Sequence, residues 1–372
     1  MPEASPRKTR ILVITPYAGR TGSELMISHL LRHASRERFA FALCSLQPGE
    51  LLADLPPDVP GFVAPHRFSL FQKLQHRFGE NPIFSYLRGV QRRFRADVWY
   101  LNTLMPAFLI PLAKELGVNV VSHLHELPME FVGIREAEFQ TLLTGSDLLI
   151  GCAEVVCQRL RQAGARRVER CYELIDHGQI RVDEARVRAL RVELDLQPGE
   201  FVWAMSGQST YRKGFDFLPE LSERLRGENA RILWLGQLLP DGLTHYVRQR
   251  LSQTDGAPVH LTGPLRGDYF NYLALADGFV LTSREDPFPL VMIEAAALGK
   301  PIVSFPSGGV SEFVQPGMGA VVDSWNLPDL VAAMRAVTDG SLPCQPEVSR
   351  RRAAEFDAPV VLPAWEALMA GV

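Results

Sequence analysis

Asp286 and Glu294 stand eight residues apart, with Glu285 directly before the first and the corner Pro287-Phe288-Pro289 between them. An apolar run, residues 278–282, leads into the acids, and a nearly all-apolar stretch, residues 290–298, carries the second one. This spacing predicts a strand that ends on a carboxylate, then a helix with Glu294 inside it. Pro287 and Pro289 suit the first turn of a helix, where a missing N–H costs little. The amides of Leu290 and Val291 are then unsatisfied at a helix start, which favours an anion. Glu294 lies one turn beyond Leu290, on the same side of the helix. A carboxylate placed there can accept two hydroxyl hydrogen bonds, as a ribose offers, and an acid at the strand end can do the same for a sugar. The plainer alternative is that Glu285 and Asp286 cap the helix while Glu294 pairs with an arginine.

Four other segments follow apolar runs. Residues 206–214 read Ser-Gly-Gln-Ser-Thr-Tyr-Arg-Lys-Gly. There Gly207 permits close backbone approach and Arg212 with Lys213 could neutralise a diphosphate, although a basic pair in a turn is often only solvated. Residues 17–24 contain Gly22 in Thr21-Gly22-Ser23-Glu24, a weak glycine turn without the dinucleotide-binding pattern. In His123-Leu124-His125-Glu126-Leu127-Pro128, alternation puts both histidines on one face. His125 is the better candidate for touching a reacting sugar, and the local spacing supplies no further metal ligands, so no metal is expected. Residues 306–313 place Gly308-Gly309 before a helix with Glu312 near its start, fit for a nucleotide site or for a plain turn.

These segments need scaffolds. Short β-branched runs alternate with helical patterns along the chain: strands near 11–17, 41–46, 97–103, 119–125 and 147–153, then 201–207, 231–236, 259–263, 278–283, 300–305 and 320–323. Runs apolar on both faces suit buried parallel strands, and helices near 23–36, 106–117, 154–163, 214–227, 289–298 and 327–337 supply crossovers. The fold class is α/β, with doubly wound sheets. The alternation breaks at 175–199, a charged stretch read as a linker. Two Rossmann-like domains facing a central crevice are expected, residues 1–178 and 179–354. Ligands in such sheets bind beyond the carboxyl ends of the strands, where the unusual residues fall.

With 372 residues, two domains are the prior. A net charge of -3 gives no support to general nucleic-acid binding. The first residues carry too short an apolar run for a signal peptide, and no stretch approaches a membrane span. The odd number of cysteines, 5, at scattered positions points to core packing in a reducing compartment, hence the cytoplasm.

Taken together the segments resemble the family-4 retaining glycosyltransferases of GT-B architecture, along nearly the whole chain. The strongest part is 284–295 followed by Gly299-Lys300-Pro301-Ile302-Val303. The E-x7-E motif of that family is here Asp286 and Glu294, an aspartate replacing the first glutamate, with Glu285 as the alternative sugar-contacting acid. The resemblance implies that Arg212 and Lys213, beside Gly207, hold the donor diphosphate. It implies further that Glu294 binds the ribose, Asp286 the donor-sugar hydroxyls, and that His125 lies beside the anomeric centre. Thr21 replaces the first glycine of the family's Gly-Gly loop, leaving Gly22. Residues 365–369 look like its terminal helix, which returns to the first domain from about residue 355. Retention without a metal or other cofactor is implied, with a UDP-sugar favoured over a GDP-sugar. Base recognition is expected from loops, around Gly263-Pro264-Leu265 among them. The acceptor is a sugar, a lipid-linked molecule or another hydroxyl, in bacterial cell-surface polysaccharide or glycolipid synthesis. A non-catalytic relative that binds nucleotide sugar is the competing class.

Residues 66–96 hold seven Lys/Arg against one acid, with Phe68, Phe71, Phe78, Phe84, Tyr86 and Phe94 interleaved. Such a stretch can lie on an anionic membrane surface through Arg88, Arg92, Arg93 and Arg95, or be a solvated basic face over packed aromatics.

Overall fold

The structure, a computed structural model, describes residues 7–65 and 81–372. The chain divides into two units, the first running to Leu174 and resuming at Ala358–Val372, the second Ile175–Asp357.

The first unit is built on seven strands: β1 (Thr9–Thr15), β2 (Phe39–Ser45), β3 (Gly61–Val63), β4 (Val98–Asn102), β5 (Asn119–Leu124), β6 (Leu148–Gly151) and β7 (Val168–Arg170). They pair in parallel in the order β3-β2-β1-β4-β5-β6-β7. Ile11, Leu12, Val13 and Ile14 are all fully buried, which explains the unbroken apolar run: both faces of β1 are covered. The short edge strands β3 and β7 have no apolar run and left no trace in the sequence pattern. The C-terminal helix, Ala358–Ala370, packs on this unit. Its fully buried Trp365 meets Phe39 and Tyr100 edge-on, at 5.6 and 5.9 Å between ring centroids, and Glu366 accepts a hydrogen bond from Arg38 at 2.9 Å.

The second unit carries β8 (Phe201–Ser206), β9 (Ala230–Leu235), β10 (Val259–Leu261), β11 (Gly278–Leu281), β12 (Ile302–Ser304) and β13 (Gly319–Val321), all parallel, in the order β10-β9-β8-β11-β12-β13. The strand order reverses between β1 and β4 in one sheet and between β8 and β11 in the other, which marks the ligand-binding end of each. The charged stretch 175–199 is more than a linker. It contains the helix Glu184–Glu193, capped by Asp183 through the amides of Ala185 and Arg186 and pinned by Arg186 to Asp268 at 2.9 Å. Leu190 is its one buried residue, so no amphipathic pattern announces it.

All five cysteines are free and four are buried, and burial pushes the Cys44 and Cys171 thiols up to about 12. Among the described residues no helix is long and apolar enough to cross a membrane.

Of the basic stretch, residues 66–80 lie outside the described residues, Phe68, Phe71 and Phe78 with them. The remainder forms the helix Pro82–Phe94, whose Leu87, Val90 and Phe94 are buried. Phe84 stacks on Phe108, Arg88 pairs with Glu115 at 2.8 Å, and Arg92, Arg93 and Arg95 are exposed.

Candidate functional site

In the second unit, β8 and β11 flank the point where strand order reverses, and the predicted residues leave their carboxyl ends. After β8 the chain turns at Gly207 and closes at Gly214, whose φ of +72° is left-handed. A Cβ on Gly214 would sit 2.3 Å from the Thr282 carbonyl oxygen, so only glycine lets this turn lie on the end of β11. Arg284 fastens the same loop. Its amide donates to the Arg212 carbonyl at 2.8 Å, and its guanidinium forks onto Asp216 at 2.8 and 2.7 Å while lying 3.7 Å from the Tyr211 ring centroid.

This docking brings Lys213 to Asp286. Lys213 Nζ donates to Asp286 Oδ2 at 2.5 Å, Ser283 Oγ donates to the same oxygen at 3.0 Å, and Arg212 lies 3.9 Å from Oδ1. Asp286 is 5% exposed. Burial works against its charge, but Lys213 and Arg212 outweigh that and hold the carboxyl below the ordinary carboxylate range. Arg212 also donates to the Glu285 carbonyl at 2.9 Å, and the Glu285 side chain is half-buried. The sequence assigns Asp286 to sugar hydroxyls; the structure engages one of its oxygens with Lys213 and Ser283.

The helix Leu290–Ala297 begins after Pro289, with the Leu290 and Val291 amides in its first turn. Among the described residues Glu294 pairs with no arginine. Its partner is the Tyr269 hydroxyl, which lies 3.2 Å from Ser206 Oγ. Burial pushes the Glu294 carboxyl up to about 7, against the hydrogen bond from Tyr269. The end of β8 joins the two clusters: the Lys213 stem packs against Gly207, and Ser206 precedes it. The Gly308-Gly309 loop lies against the acids from the other side, the Gly309 amide donating to the Pro287 carbonyl at 2.7 Å. Leu265 sits half-buried in the loop after β10. Ser206 and Ser283 lie inside segments that the sequence reading singled out but received no role there, whereas Tyr269 had no local signal.

In the first unit, Gly22 starts the helix Gly22–His33, and a Cβ there would meet nothing within 4 Å. Glu24 accepts the Thr21 amide at 3.0 Å. His123 and His125 do share a face, with ring centroids 4.1 Å apart. Trp365 donates to the Tyr100 hydroxyl, which lies 2.5 Å from His123 Nδ1. Burial, and then His125, holds His123 well below its ordinary range, so it is neutral and Tyr100 is the donor. His125 behaves oppositely. Burial disfavours its charge, but Glu173, 2.5 Å from Nδ1, overrides this and raises it. The fold also supplies what local spacing did not: ligand atoms of His125, Cys152 and Glu173 lie within 4.8 Å of one another. A metal there would have to displace the bond between His125 Nδ1 and Glu173 Oε1.

Residues 200–339 match the family model of glycosyl transferases group 1. The structure resembles that of Anabaena HepE in complex with UDP and glucose, with a TM-score of 0.81 over 98% of this chain and 100% of that one at 19% identity. It also resembles WaaG, a glycosyltransferase involved in lipopolysaccharide biosynthesis, with a TM-score of 0.72 and coverage of 97% and 100% at 14% identity. The chain has the GT-B fold. Among curated relatives, the D-inositol 3-phosphate glycosyltransferase of Segniliparus rotundus is 30% identical over 50% of this chain and 42% of its own length. A GDP-mannose-dependent monoacylated alpha-(1-6)-phosphatidylinositol monomannoside mannosyltransferase of Corynebacterium glutamicum is 24% identical over 65% and 66%. The chain spans about half the length of the first curated relatives it matches. Within this GT-B chain the matched domain holds Lys213, Asp286, Tyr269 and Glu294, while His125 and Glu173 lie in the other unit.

Proposed function

We propose that the chain is a retaining, family-4 glycosyltransferase that moves a sugar from a nucleoside-diphosphate donor to a hydroxyl acceptor in cell-surface polysaccharide or glycolipid synthesis. The observation that carries it is the paired arrangement at the end of β8 and β11: two cations held on a buried aspartate, and a helix-borne glutamate partnered by the Tyr269 hydroxyl. Cations, helix-start amides and a hydroxyl-accepting acid are the parts that a nucleoside diphosphate requires. UDP stands ahead of GDP because the HepE structure of the same fold holds UDP. Glu294 takes the ribose. Asp286, or Glu285 beside it, faces the sugar.

In the reaction the bond from the anomeric carbon to the diphosphate breaks as the acceptor oxygen bonds on the same face. The acceptor proton passes to the departing phosphate oxygen, so no separate base is needed. Arg212, Lys213 and the amides of Leu290 and Val291 stabilise the leaving charge.

Thermal shift with UDP, GDP and ADP tests the donor site. At one hundred times its dissociation constant one nucleotide should add about 2.7 kcal/mol of stability. The shift should vanish in Glu294→Ala. No shift with any of them in the wild type would sink the reading, and a shift that survives in Glu294→Ala would take the ribose away from Glu294.

The acceptor is brought by contact with the cytoplasmic, anionic face of a membrane. The helix Pro82–Phe94 turns its aromatic side inward, so the contact is electrostatic and made by Arg92, Arg93 and Arg95. Co-sedimentation with vesicles rich in anionic lipid should fall at least tenfold when the three are changed to Glu, and should fall with salt in the wild type. Unchanged co-sedimentation would remove the membrane from the reading.

A further inference from the structure

We propose that the carboxyl ends of β5, β6 and β7 form a binding site for a divalent cation of the zinc class, with His125, Cys152 and Glu173 as its protein ligands. The site lies wholly in the first unit, and it stands or falls independently of the transferase reading.

Three neighbouring parallel strands deliver the ligands. His125 is the residue after β5, Cys152 is the residue after β6, and Glu173 lies just beyond β7. Leu124 and Gly151 are partners in register, and the Cys152 amide donates to the Leu124 carbonyl at 3.2 Å. The next residue on each strand is therefore a neighbour of the other, which sets the imidazole beside the thiol. Ligand atoms of all three residues lie within 4.8 Å of one another. Around a tetrahedral zinc ion, bonds of about 2.3 Å to sulfur and about 2.0 Å to nitrogen hold ligand atoms about 3.5 Å apart. The widest gap thus closes by about 1 Å, which side-chain rotation supplies without moving the strands.

Two further observations point to an ion. Oε2 of Glu173 is buried with no hydrogen-bond partner, on a side chain only 5% exposed. Buried polar atoms are rarely left unmet, and an ion in the cluster can be met by both oxygens of the carboxylate. Nδ1 of His125 and Oε1 of Glu173 are 2.5 Å apart, so the ion takes the place of the proton they share. Cys152 is fully buried and in no disulfide. It binds as the thiolate, and loading expels the shared proton together with the thiol proton. One thiolate and one carboxylate then cancel the two charges of the ion. The loaded site carries no net charge into the interior, which keeps the cost of burial low. A thiolate beside an imidazole selects against Ca2+ and Mg2+, which take oxygen ligands, and suits Zn2+. An ion held there ties three strand ends together and stabilises the first unit.

The test uses the full chain, stripped with a chelator under reductant and dialysed against Zn2+. One zinc per chain should remain in the presence of a weak competing chelator, and Tm should rise with loading. Co2+ in its place should give the strong visible bands of a four-coordinate ion and the near-ultraviolet band of a cobalt–thiolate bond. Cys152→Ser should lose the near-ultraviolet band and weaken zinc affinity at least tenfold. Cys44→Ser, which changes a buried thiol on β2, should alter neither. No retained zinc, or a Co2+ spectrum without the thiolate band, overturns the proposal. A band that survives Cys152→Ser overturns it too, because the ion then sits on another cysteine. Should Cys152→Ser not fold, Glu173→Gln tests the same site. Its amide oxygen still accepts from Nδ1–H, but the carboxylate charge is gone. Zinc affinity should again fall at least tenfold, and an unchanged affinity overturns the site.

Discussion

Lys213→Ala should lose turnover by on the order of 10²–10³-fold and also lose stability. The two losses have different causes. Turnover falls because a cation that stabilises the departing diphosphate is gone. Stability falls because Asp286, 5% exposed, loses its ammonium partner and keeps, among the described residues, the Ser283 hydroxyl and a guanidinium 3.9 Å away. Removing one partner of a buried ion pair costs about 3 kcal/mol or more, since the remaining charge has no water to turn to. Urea denaturation should show this as a lower midpoint with an unchanged slope.

A second substitution separates the causes. In Lys213→Ala with Asp286→Asn the buried charge is removed, and the amide can still accept from Ser283. Most of the lost stability should return while turnover stays low. Two residues in contact are expected to couple by 0.5–3 kcal/mol, and this cycle measures it. Stability that stays low in the double variant would mean that the Lys213 stem, packed on Gly207, matters more than its charge. Turnover that recovers would deny Lys213 its place at the diphosphate.

The parts of this site that the sequence made legible are those read along a strand and past its end. Lys213 and Asp286 lie in the loops after β8 and β11 and Glu294 on the helix that follows, and parallel-sheet geometry sends all such ends to one side. What stayed hidden depends on pairing between distant segments. Tyr269 reaches Glu294 from a helix whose sequence, Tyr269-Phe270-Asn271-Tyr272, reads as ordinary packing. Glu173 reaches His125 across 48 positions, from just beyond a strand only three residues long. The helix Glu184–Glu193 was hidden for another reason: with Leu190 alone buried, local charge patterning overwhelms the periodic signal. The domain-scale picture was easier, because strands buried on both faces leave long apolar runs whatever their partners are.

Glu294→Gln should make the free protein more stable and its nucleotide binding weaker. The Glu294 carboxyl is pushed up from 4.5 to about 7, mainly by burial. The folded state therefore holds its proton where the unfolded chain has released it. Between about 4.5 and about 7 the native state binds more protons, and stability declines as pH rises through that window. Above it the wild type carries a cost of about 3 kcal/mol that the neutral amide avoids. At pH 8 the variant should unfold at a higher urea concentration than the wild type, whereas at pH 4 the two should coincide. Binding runs the other way. Ribose hydroxyls donate to the ionised acid, so the wild type must release a proton to bind below about 7. Its affinity for UDP-glucose should weaken roughly tenfold per pH unit there, relative to the amide variant, in which titration of the ligand itself cancels. Calorimetry in two buffers of different ionisation enthalpy would register that proton directly. A flat affinity ratio from pH 5 to 8 would mean that Glu294 does not meet the ribose as a carboxylate. A variant no more stable at pH 8 would mean that the Tyr269 hydroxyl already offsets the burial of the charge.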